Sequence, residues 1–356
     1  MYKTQRIGKD FPMSNKNSNK KRVNIDNSTL NMLTALLAIS LVLVIVISTY
    51  AVIVKVSTTA LPDSDTKKPS NPQNQPATYP FKQDISLNIS DDLTETREIS
   101  GIDSGFAALI DITDGSVAAS TKSGSIIYPA SLTKVMTLIV VYENLPNEAA
   151  LDEVLTVSAG IGEHSGYGFK VGEQLTVRDL IYAAILQSDG VACLTLADYI
   201  AGSEAKFVEM MNAKARELGL SESTTLFQNC SGLHHQYHYS TSYDMAVIMA
   251  YAMKNTFCAN VLTSLSYRPS NNFRPGEGCV FWHSVLHERL SDGKVQPQTA
   301  TVTGGKTGWT GKDSGFCMVT FAKGKNGHDY VLVTAKASSW ATAVDDMLKI
   351  YNNYVE

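Results

Sequence analysis

Hydrophobic periodicity changes twice along the chain, and this pattern constrains the fold more than any other feature. Residues 105–120 are typical of strands, residues 141–260 carry the apolar spacing of helices, and residues 302–335 return to strand-like segments. A last helical pattern starts near Ser339. Strands separated in sequence by a helical block form one sheet if the block is an insertion that packs against it. We therefore expect an α+β fold: an antiparallel five-stranded sheet flanked by helices, with an inserted all-helical subdomain.

Local turn and cap signals mark several element boundaries. Thr113-Asp114-Gly115 predicts a tight turn after the first strand, and Gly324-Lys325-Asn326-Gly327 contains the Asn-Gly pair that is typical of hairpins. Thr176 is followed three residues later by Asp179, which resembles a capping box. A helix should therefore begin directly after Thr176.

The N-terminal part of the chain has the pattern of a membrane anchor. Residues 1–29 are polar and basic, and Leu33 to Val54 then form an apolar stretch without charged residues. At 1.5 Å per residue this stretch spans roughly 33 Å, enough for the hydrocarbon core of a bilayer. The basic flank predicts a cytoplasmic N-terminus with the remainder outside the cell membrane. A cleavable signal peptide is the alternative, although its apolar region would be shorter, about 7–15 residues.

A segment rich in proline, asparagine and serine follows the apolar stretch. It has five prolines from Pro62 to Pro80, and such a composition buries too little apolar surface to fold. The sequence therefore predicts four regions. These are a cytoplasmic basic tail (1–29), a transmembrane anchor (30–56), a linker (57–100) and a folded domain (101–356).

Composition and cysteine spacing exclude some classes of function. A formal net charge of -4 provides no excess of positive charge for binding nucleic acid. The five cysteines contain no C-x-x-C pair, so a zinc site of that type has no support. The odd number argues against a full disulfide framework, although one bridge between Cys258 and Cys279 stays open.

A polar turn precedes the first long helical pattern. Pro129 cannot donate a backbone hydrogen bond, so it interrupts regular secondary structure. The run from Val135 to Tyr142 is apolar and contains no glycine or proline, which predicts a buried helix. Ser131 then lies near the N-terminus of this helix, and Lys134 lies one turn later on the same face. A hydroxyl held beside an amine can act as a nucleophile with its base. A simple helix cap is the alternative for Ser131.

Two further polar motifs follow this turn in the folded domain. The three motifs are Ser131-Leu132-Thr133-Lys134, Ser188-Asp189-Gly190 and Lys306-Thr307-Gly308. Their order resembles the S-x-x-K, S-x-N and K-T-G motifs of the penicillin-recognising serine enzymes. The wider sequence, over residues 103–350, is most similar to the low-molecular-mass penicillin-binding proteins, the serine-type D-alanyl-D-alanine carboxypeptidases. The shared segments are 129–137, 172–180 and 238–246.

This resemblance implies a β-lactamase/transpeptidase-like fold and a peptidase that acts on peptidoglycan stem pentapeptides and is inhibited by β-lactams. Ser131 would attack the carbonyl between two D-alanines, and Lys134 would accept its proton. Ser188 would bridge the two motif lysines and relay the proton to the leaving amine. Lys134 must be neutral for this role, and either burial or the like charge of Lys306 could lower its pKa.

The resemblance also assigns the residues that would hold the substrate. Lys306 and Thr307 would bind its terminal carboxylate, and Gly308 would let the backbone approach closely. The backbone N–H groups of Ser131 and Trp309 would form the oxyanion hole. The family uses no metal or cofactor, so none is expected here.

Gly190 departs from the family pattern, which has asparagine at this position. The asparagine side chain would bind the substrate's peptide carbonyl, so Asp189 or a water molecule would have to replace it. A β-lactamase or D,D-endopeptidase on the same scaffold is an alternative, and a non-catalytic penicillin-binding sensor is another. For a class A β-lactamase we find no convincing deacylating glutamate after Ser188.

Two remaining signals stay open at this point. His234, His235 and His238 cluster in one loop, for which exposed histidines are the expected interpretation rather than a metal site. Residues 264–298 either border the cleft or form an ordinary surface excursion. Many relatives carry an extra β domain and a C-terminal anchor, for which about 50 residues after Lys306 leave no room, so we expect the N-terminal stretch to be the anchor.

Overall fold

The five long strands and six of the α-helices occur in the order that the sequence patterns predict, whereas the two- and three-residue strands were not predicted. The computed structural model describes residues 87, 89, 96–158, 167–270, 273–274 and 281–355. Their strands are β1 (Arg97–Glu98), β2 (Phe106–Asp111), β3 (Ser116–Thr121), β4 (Ile126–Ile127), β5 (Val154–Thr156), β6 (Gln174–Thr176), β7 (Ser240–Thr241), β8 (Ser266–Tyr267), β9 (Trp282–His283), β10 (Ala300–Gly308), β11 (Phe316–Gly324) and β12 (Asp329–Ala337). Their α-helices are α1 (Lys134–Glu143), α2 (Val177–Leu186), α3 (Gly190–Ala201), α4 (Glu204–Glu217), α5 (Ser242–Lys254), α6 (Thr256–Thr263), α7 (Val285–Arg289) and α8 (Trp340–Tyr354).

One sheet organises the domain, with the strand order β1–β3–β2–β12–β11–β10. The five long strands pair antiparallel, as predicted. The two-residue strand β1 pairs parallel to β3, so the sheet is six-stranded and mixed, and the prediction of five antiparallel strands is wrong in this respect. A strand of two residues is too short to show an alternation of apolar and polar side chains. The sequence analysis therefore assigned Arg97–Glu98 to the linker.

Helices cover both faces of the sheet. On one face α5 packs across β2 and β12, and on the other face α8 packs against β11 and β12. The inserted block from α1 to α6 forms the predicted helical subdomain, although β5 and β6 also pair within it. The predicted capping box at Thr176 and Asp179 is confirmed at the start of α2.

The helix α1 lies at the centre of the larger core. All of its residues except Tyr142 are buried, as the apolar run predicts. Burying one large aliphatic side chain contributes about 1.5–3 kcal/mol relative to exposure. A helix that is buried on every side is held in position by its neighbours, so it can fix a functional side chain at its first turn.

The strand β10 forms one edge of the sheet, with β11 on one side and the turn before α1 on the other. Its last residues, Lys306, Thr307 and Gly308, are nevertheless buried. The fold therefore brings the end of an edge strand against the start of a core helix.

Several predictions fall outside the described residues. They concern the basic tail, the transmembrane anchor, nearly all of the linker, and Cys279. Cys258, its proposed partner, is a buried free thiol. Within the described ranges, no single helix has the length and apolar character to cross a membrane, and only the sharply bent pair α5 and α6 meets both criteria together.

Candidate active site

Ser131 lies in a buried turn that leads into α1. Residues Ala130–Thr133 form a 3-10 turn, and Lys134 begins the α-helix. The Ser131 hydroxyl accepts a hydrogen bond from Nζ of Lys134 at 3.0 Å. Neither helical segment has a side-chain capping hydrogen bond at its start, so Ser131 does not act as a helix cap.

The amine of Lys134 is buried among oxygen acceptors. Its side chain is 1% exposed, and besides Ser131 it donates a hydrogen bond to the backbone carbonyl of Ser231 at 2.5 Å. Burial disfavours the ammonium form and lowers the pKa of Lys134, and the nearby Cys193, Cys230 and Asp189 side chains oppose this effect. Of the two causes that the sequence left open, burial is the one that lowers the pKa of Lys134.

Lys306 provides a second buried amine. Its Nζ donates hydrogen bonds to the Ser188 hydroxyl and to the backbone carbonyl of Thr307, both at 2.9 Å. Burial first, and the positive charge of Lys134 second, lower the pKa of Lys306 well below its ordinary value. Two like charges in one desolvated region repel strongly, so the pair favours a state in which at least one amine is neutral.

Ser188 occupies the turn between α2 and α3. Its backbone is in the left-handed region, with φ of 57°, which is uncommon for a residue other than glycine. Lys306 reaches its hydroxyl, whereas no hydrogen bond between Ser188 and Lys134 is present among the described residues. The structure therefore contains one half of the predicted bridge between the lysines.

Asp189 and Gly190 start α3 beside this turn. Gly190 is the first residue of the helix, and Asp189 caps it by accepting a hydrogen bond from the Ala192 backbone N–H at 2.8 Å. The other carboxylate oxygen accepts from the Gly168 backbone N–H at 3.1 Å. Burial raises the pKa of Asp189. Both oxygens thus have structural partners, so Asp189 is poorly placed to replace the missing asparagine.

Glycines allow both β10 and the loop at Gly232 to approach the Ser131 turn closely. A Cβ atom on Gly308 would lie 3.0 Å from the Ser131 backbone nitrogen, and one on Gly232 would lie 2.0 Å from the Ala130 carbonyl oxygen. Ala130 itself has φ of 49°, which is strained for alanine. Trp309 follows directly after β10, and its side chain is 54% exposed. The structure therefore places Thr307, Gly308 and Trp309 along the edge that faces Ser131.

The loop before Gly232 supplies a contact that sequence reasoning missed. The Asn229 side-chain oxygen accepts hydrogen bonds from the backbone N–H groups of Gly232 and Leu233, at 2.7 and 3.0 Å. This arrangement holds the Ser231 carbonyl against Lys134. The Asn-Cys-Ser-Gly sequence at 229–232 is a turn signal, but its partner lies 97 residues away.

His238 is the second missed residue. The sequence predicts exposed loop histidines, which is confirmed for His234 and His235, but His238 is 2% exposed and the prediction is wrong for this residue. Its Nδ1 accepts from the Gln228 backbone N–H at 3.1 Å, which leaves the proton on Nε2, 2.7 Å from the Thr133 hydroxyl. Burial lowers the pKa of His238 to about 3. A neutral histidine therefore supports the turn between Ser131 and Lys134.

The segment 264–298 reaches the second motif. The side-chain amide of Gln187 donates a hydrogen bond to the His283 backbone carbonyl at 2.7 Å, directly next to Ser188. Asp179 ties the same segment to α2 by accepting from the Tyr267 hydroxyl at 2.7 Å and the Ser270 hydroxyl at 2.7 Å. The described part of this segment therefore packs beside the turn that carries Ser188, as the first of the two alternatives predicts.

The assembled geometry suits acyl transfer. The Ser131 hydroxyl, a possible nucleophile, lies at hydrogen-bond distance from an amine whose pKa is lowered. Lys306 and Ser188 form a second amine–hydroxyl pair. The site also has the end of an edge strand, at Gly308, packed closely against the Ser131 backbone. These are the components that an acyl-enzyme mechanism needs.

Comparison with known proteins agrees with this geometry. A sequence model of a family described as D-alanyl-D-alanine carboxypeptidase matches residues 93–339. The chain is 32% identical over 223 residues to the D-alanyl-D-alanine carboxypeptidase DacF of Bacillus subtilis, covering 62% of this chain and 54% of the relative. It is 36% identical over 163 residues to DacC of Escherichia coli, covering 43% and 40%. The chain thus spans about half the length of the first of these two relatives and less than half of the second.

Solved structures share the fold. A point mutant of the Streptomyces K15 DD-transpeptidase superposes with a TM-score of 0.63 at 23% identity, covering 71% of this chain and 98% of the other. At this identity the likeness establishes the fold.

Proposed function

Since this chain belongs to the D-alanyl-D-alanine carboxypeptidase family, we propose that it removes the terminal D-alanine from peptidoglycan stem peptides through an acyl-enzyme. The observation that carries the proposal is the hydrogen bond between Lys134 and Ser131, made by an amine whose pKa burial lowers. A neutral amine at this position can accept the serine proton, which turns a weak nucleophile into an effective one.

Acylation starts at Ser131. Its Oγ attacks the carbonyl carbon of the penultimate D-alanine, and its proton passes to Nζ of Lys134. The carbon–nitrogen bond to the terminal D-alanine then breaks as the proton held by Lys134 passes by way of the Ser188 hydroxyl to the departing amine, which leaves Lys134 neutral again. Water hydrolyses the resulting ester and regenerates Ser131. No metal or cofactor is required for these steps.

The end of β10 binds the substrate in this proposal. Lys306 and Thr307 hold the terminal carboxylate, whose negative charge favours protonation of the Lys306 amine and which accepts hydrogen bonds from both side chains. The backbone N–H groups of Ser131 and Trp309 stabilise the oxyanion, and the close approach at Gly308 supports this role. An extended peptide can lie along β10 because that strand is at the edge of the sheet.

Gly190 is the one departure from the family motif at this site. Since both carboxylate oxygens of Asp189 are engaged by backbone N–H groups, we propose that water rather than Asp189 binds the carbonyl that an asparagine would bind. The substitution Gly190→Asn is expected to preserve or raise the rate of D-alanine release. A complete loss of activity with an intact fold would contradict this expectation.

We further propose that residues 30–56 anchor the protein in the cell membrane. The tail 1–29 would be cytoplasmic, and the linker 57–100 would hold the catalytic domain at residues 101–356 outside the membrane. The apolar length of Leu33 to Val54 and the preceding basic residues support this arrangement. Protease treatment of intact spheroplasts tests it, because the domain should be digested while an N-terminal tag on the tail should be protected.

One experiment separates the candidate activities. The protein is incubated with a fluorescent penicillin and, in parallel, with a peptide that ends in D-Ala-D-Ala. Stable labelling together with D-alanine release supports the carboxypeptidase. Rapid loss of label without release indicates a β-lactamase, release only from cross-linked peptides an endopeptidase, and labelling without any turnover a sensor. Ser131→Ala should abolish labelling, and persistent labelling of this variant would show that the nucleophile is another residue.

A further inference from the structure

The left-handed backbone of Ser188 has to be held in place by its surroundings. A residue other than glycine keeps a φ of 57° only where the neighbouring structure imposes that conformation. The buried Asp189 carboxylate is one such neighbour, since it joins the turn to the start of α3 and to the backbone of Gly168. The groups that fix this carboxylate therefore decide where the Ser188 hydroxyl lies.

Gly168 connects the Asp189 carboxylate to Arg274, in the segment between α6 and β10. The backbone N–H of Gly168 donates to Asp189 at 3.1 Å, and its backbone carbonyl accepts a hydrogen bond from the Arg274 guanidinium at 2.9 Å. A displacement of Arg274 therefore reaches Asp189 through a single residue.

A buried ion pair fixes Arg274 in turn. Its Nε lies 2.5 Å from one carboxylate oxygen of Glu173, and a terminal guanidinium nitrogen lies 3.3 Å from the other. The side chains of Arg274 and Glu173 are only 14% and 10% exposed. Glu173 also accepts a hydrogen bond from the Lys170 backbone N–H at 2.8 Å, which closes the turn before β6. An arginine–carboxylate contact through two nitrogens fixes orientation as well as distance, unlike an exposed pair.

Aromatic rings enclose the guanidinium group. Arg274 lies over the Tyr167 ring at 4.7 Å and over the Phe273 ring at 5.5 Å. Both rings pack against the buried Trp282, with centroid distances of 5.8 and 5.9 Å. Aromatic faces attract a cation, and the attraction is stronger where water is excluded. The rings thus hold the guanidinium group in the position from which it reaches Gly168.

The same cluster also reaches the residue before Ser188. Trp282 precedes His283, whose backbone carbonyl accepts the hydrogen bond from the Gln187 side chain at 2.7 Å. The turn is therefore held on both sides of Ser188, at Gln187 by the strand that carries Trp282 and at Asp189 by the contact described above.

We propose that Arg274 is a positioning residue for Ser188. The inference rests on the proposed function, in which the Ser188 hydroxyl passes a proton to the departing amine. Loss of the ion pair would let the turn relax and move this hydroxyl away from the path of the proton. Ser131 and Lys134 would keep their own contact. A misplacement of about 1 Å can cost about 100-fold in rate, so a partial displacement should be measurable.

Two matched substrates test this role because they differ in their need for a proton. One is a pentapeptide that ends in D-Ala-D-Ala, and the other is its thioester, with sulfur in place of the nitrogen of the terminal D-alanine. The amine leaves only when it is protonated, whereas a thiol has a pKa of about 8.5 and leaves as the thiolate. Arg274→Gln should lower kcat/KM for the peptide by about ten-fold and for the thioester by less than about two-fold. Arg274→Lys keeps the charge but not the planar fork, so it should restore part of the loss.

The thioester reaction also reports the folded fraction of each variant. An equal loss on both substrates would assign the ion pair a structural role alone and overturn the inference, as would unchanged values for both. Arg178→Gln is the matched control, because it removes an exposed ion pair with Asp152 at the other end of α2, and it should change neither value. On a Ser188→Ala background Arg274→Gln should have no further effect. A further selective loss there would show that Arg274 acts through another group.

Fluorescent penicillin separates this inference from the proposed function. If the native enzyme cleaves the thioester but releases no D-alanine from the peptide, the carboxypeptidase proposal fails. The inference is then tested on penicillin, whose ring nitrogen also takes up a proton when the ring opens. Arg274→Gln should slow labelling by about ten-fold while the thioester rate stays the same, and an unchanged rate of labelling would overturn the inference. A native enzyme that attacks none of the three compounds overturns both proposals.

Discussion

Two regions of the domain bury a lysine, but the partners differ. Lys214 in α4 lies 2.5 Å from a carboxylate oxygen of Glu143 and 3.0 Å from one of Glu217, and the Tyr251 hydroxyl also bonds to Glu143. Lys134 instead donates to a hydroxyl and a carbonyl. Carboxylates compensate the desolvation of an ammonium group, whereas neutral oxygens do so only in part. The first arrangement clamps α1, α4 and α5 together, and the second yields an amine that can accept a proton.

The same substitution at the two lysines should separate these roles, and the largest effect is expected at Lys134. Lys134→Met removes the base, so acylation by fluorescent penicillin should slow by about 10³-fold. The unfolding transition in urea should change little, because the loss concerns hydrogen bonds to neutral acceptors. An acylation rate within ten-fold of the native value would show that another group activates Ser131.

Lys214→Met should have the opposite outcome. It leaves Glu143 buried without its cation, and the free energy of unfolding should fall by about 3 kcal/mol. The folded fraction should still be acylated at close to the native rate, since Lys214 is not part of the active site. A double variant that also carries Glu143→Leu should regain part of the lost stability. Equal stability of the single and double variants would argue against a desolvated ion pair.

The sequence alone predicted those parts of the site whose residues lie close together along the chain. The spacing of Ser131 and Lys134 determines that both lie on one helical face, and the apolar run predicts that this helix is buried. The pairing of Lys306 with Ser188 spans 118 residues, and it came from the resemblance to a family rather than from spacing. Periodicity likewise found the five long strands but not Arg97–Glu98, because two residues have no period.

Contacts between distant loops were beyond prediction from the sequence. Nothing in the local sequence shows that the Ser231 carbonyl meets Lys134, or that His238 is buried against Thr133. A histidine in a polar loop is more often exposed, and only the fold determines its partners. The same holds for Glu143 and Lys214, whereas the i,i+3 pair of Lys214 and Glu217 could be read from spacing.

The pH dependence of stability should sharpen the comparison between the lysines. Because burial lowers the pKa of Lys134 and Lys306, the folded state binds fewer protons than the unfolded state between their lowered values and about 10.4. The free energy of unfolding should therefore rise with pH in that window, by about 1.4 kcal/mol per pH unit for each lysine that titrates. Urea titrations from pH 7 to 9.5 measure this slope. It should be shallower in Lys134→Met, and an identical slope in both proteins would mean that Lys134 has an ordinary pKa.

The smallest effect on stability and acylation is expected at His238, a neutral side chain that supports the turn between Ser131 and Lys134. His238→Gln should lower the free energy of unfolding by about 1 kcal/mol at pH 7, because one buried hydrogen bond to Thr133 or Gln228 is lost. Acylation should slow only a few-fold, since Ser131 and Lys134 keep their own contact.

The pKa of His238 is about 3 in the folded state and about 6.5 in the unfolded state, so acid selectively protonates the unfolded chain. Native stability should therefore decline as pH falls below about 6.5. The variant lacks this contribution, so its decline from pH 6.5 to 5 should be smaller, and parallel curves would show that His238 is not buried in the neutral form.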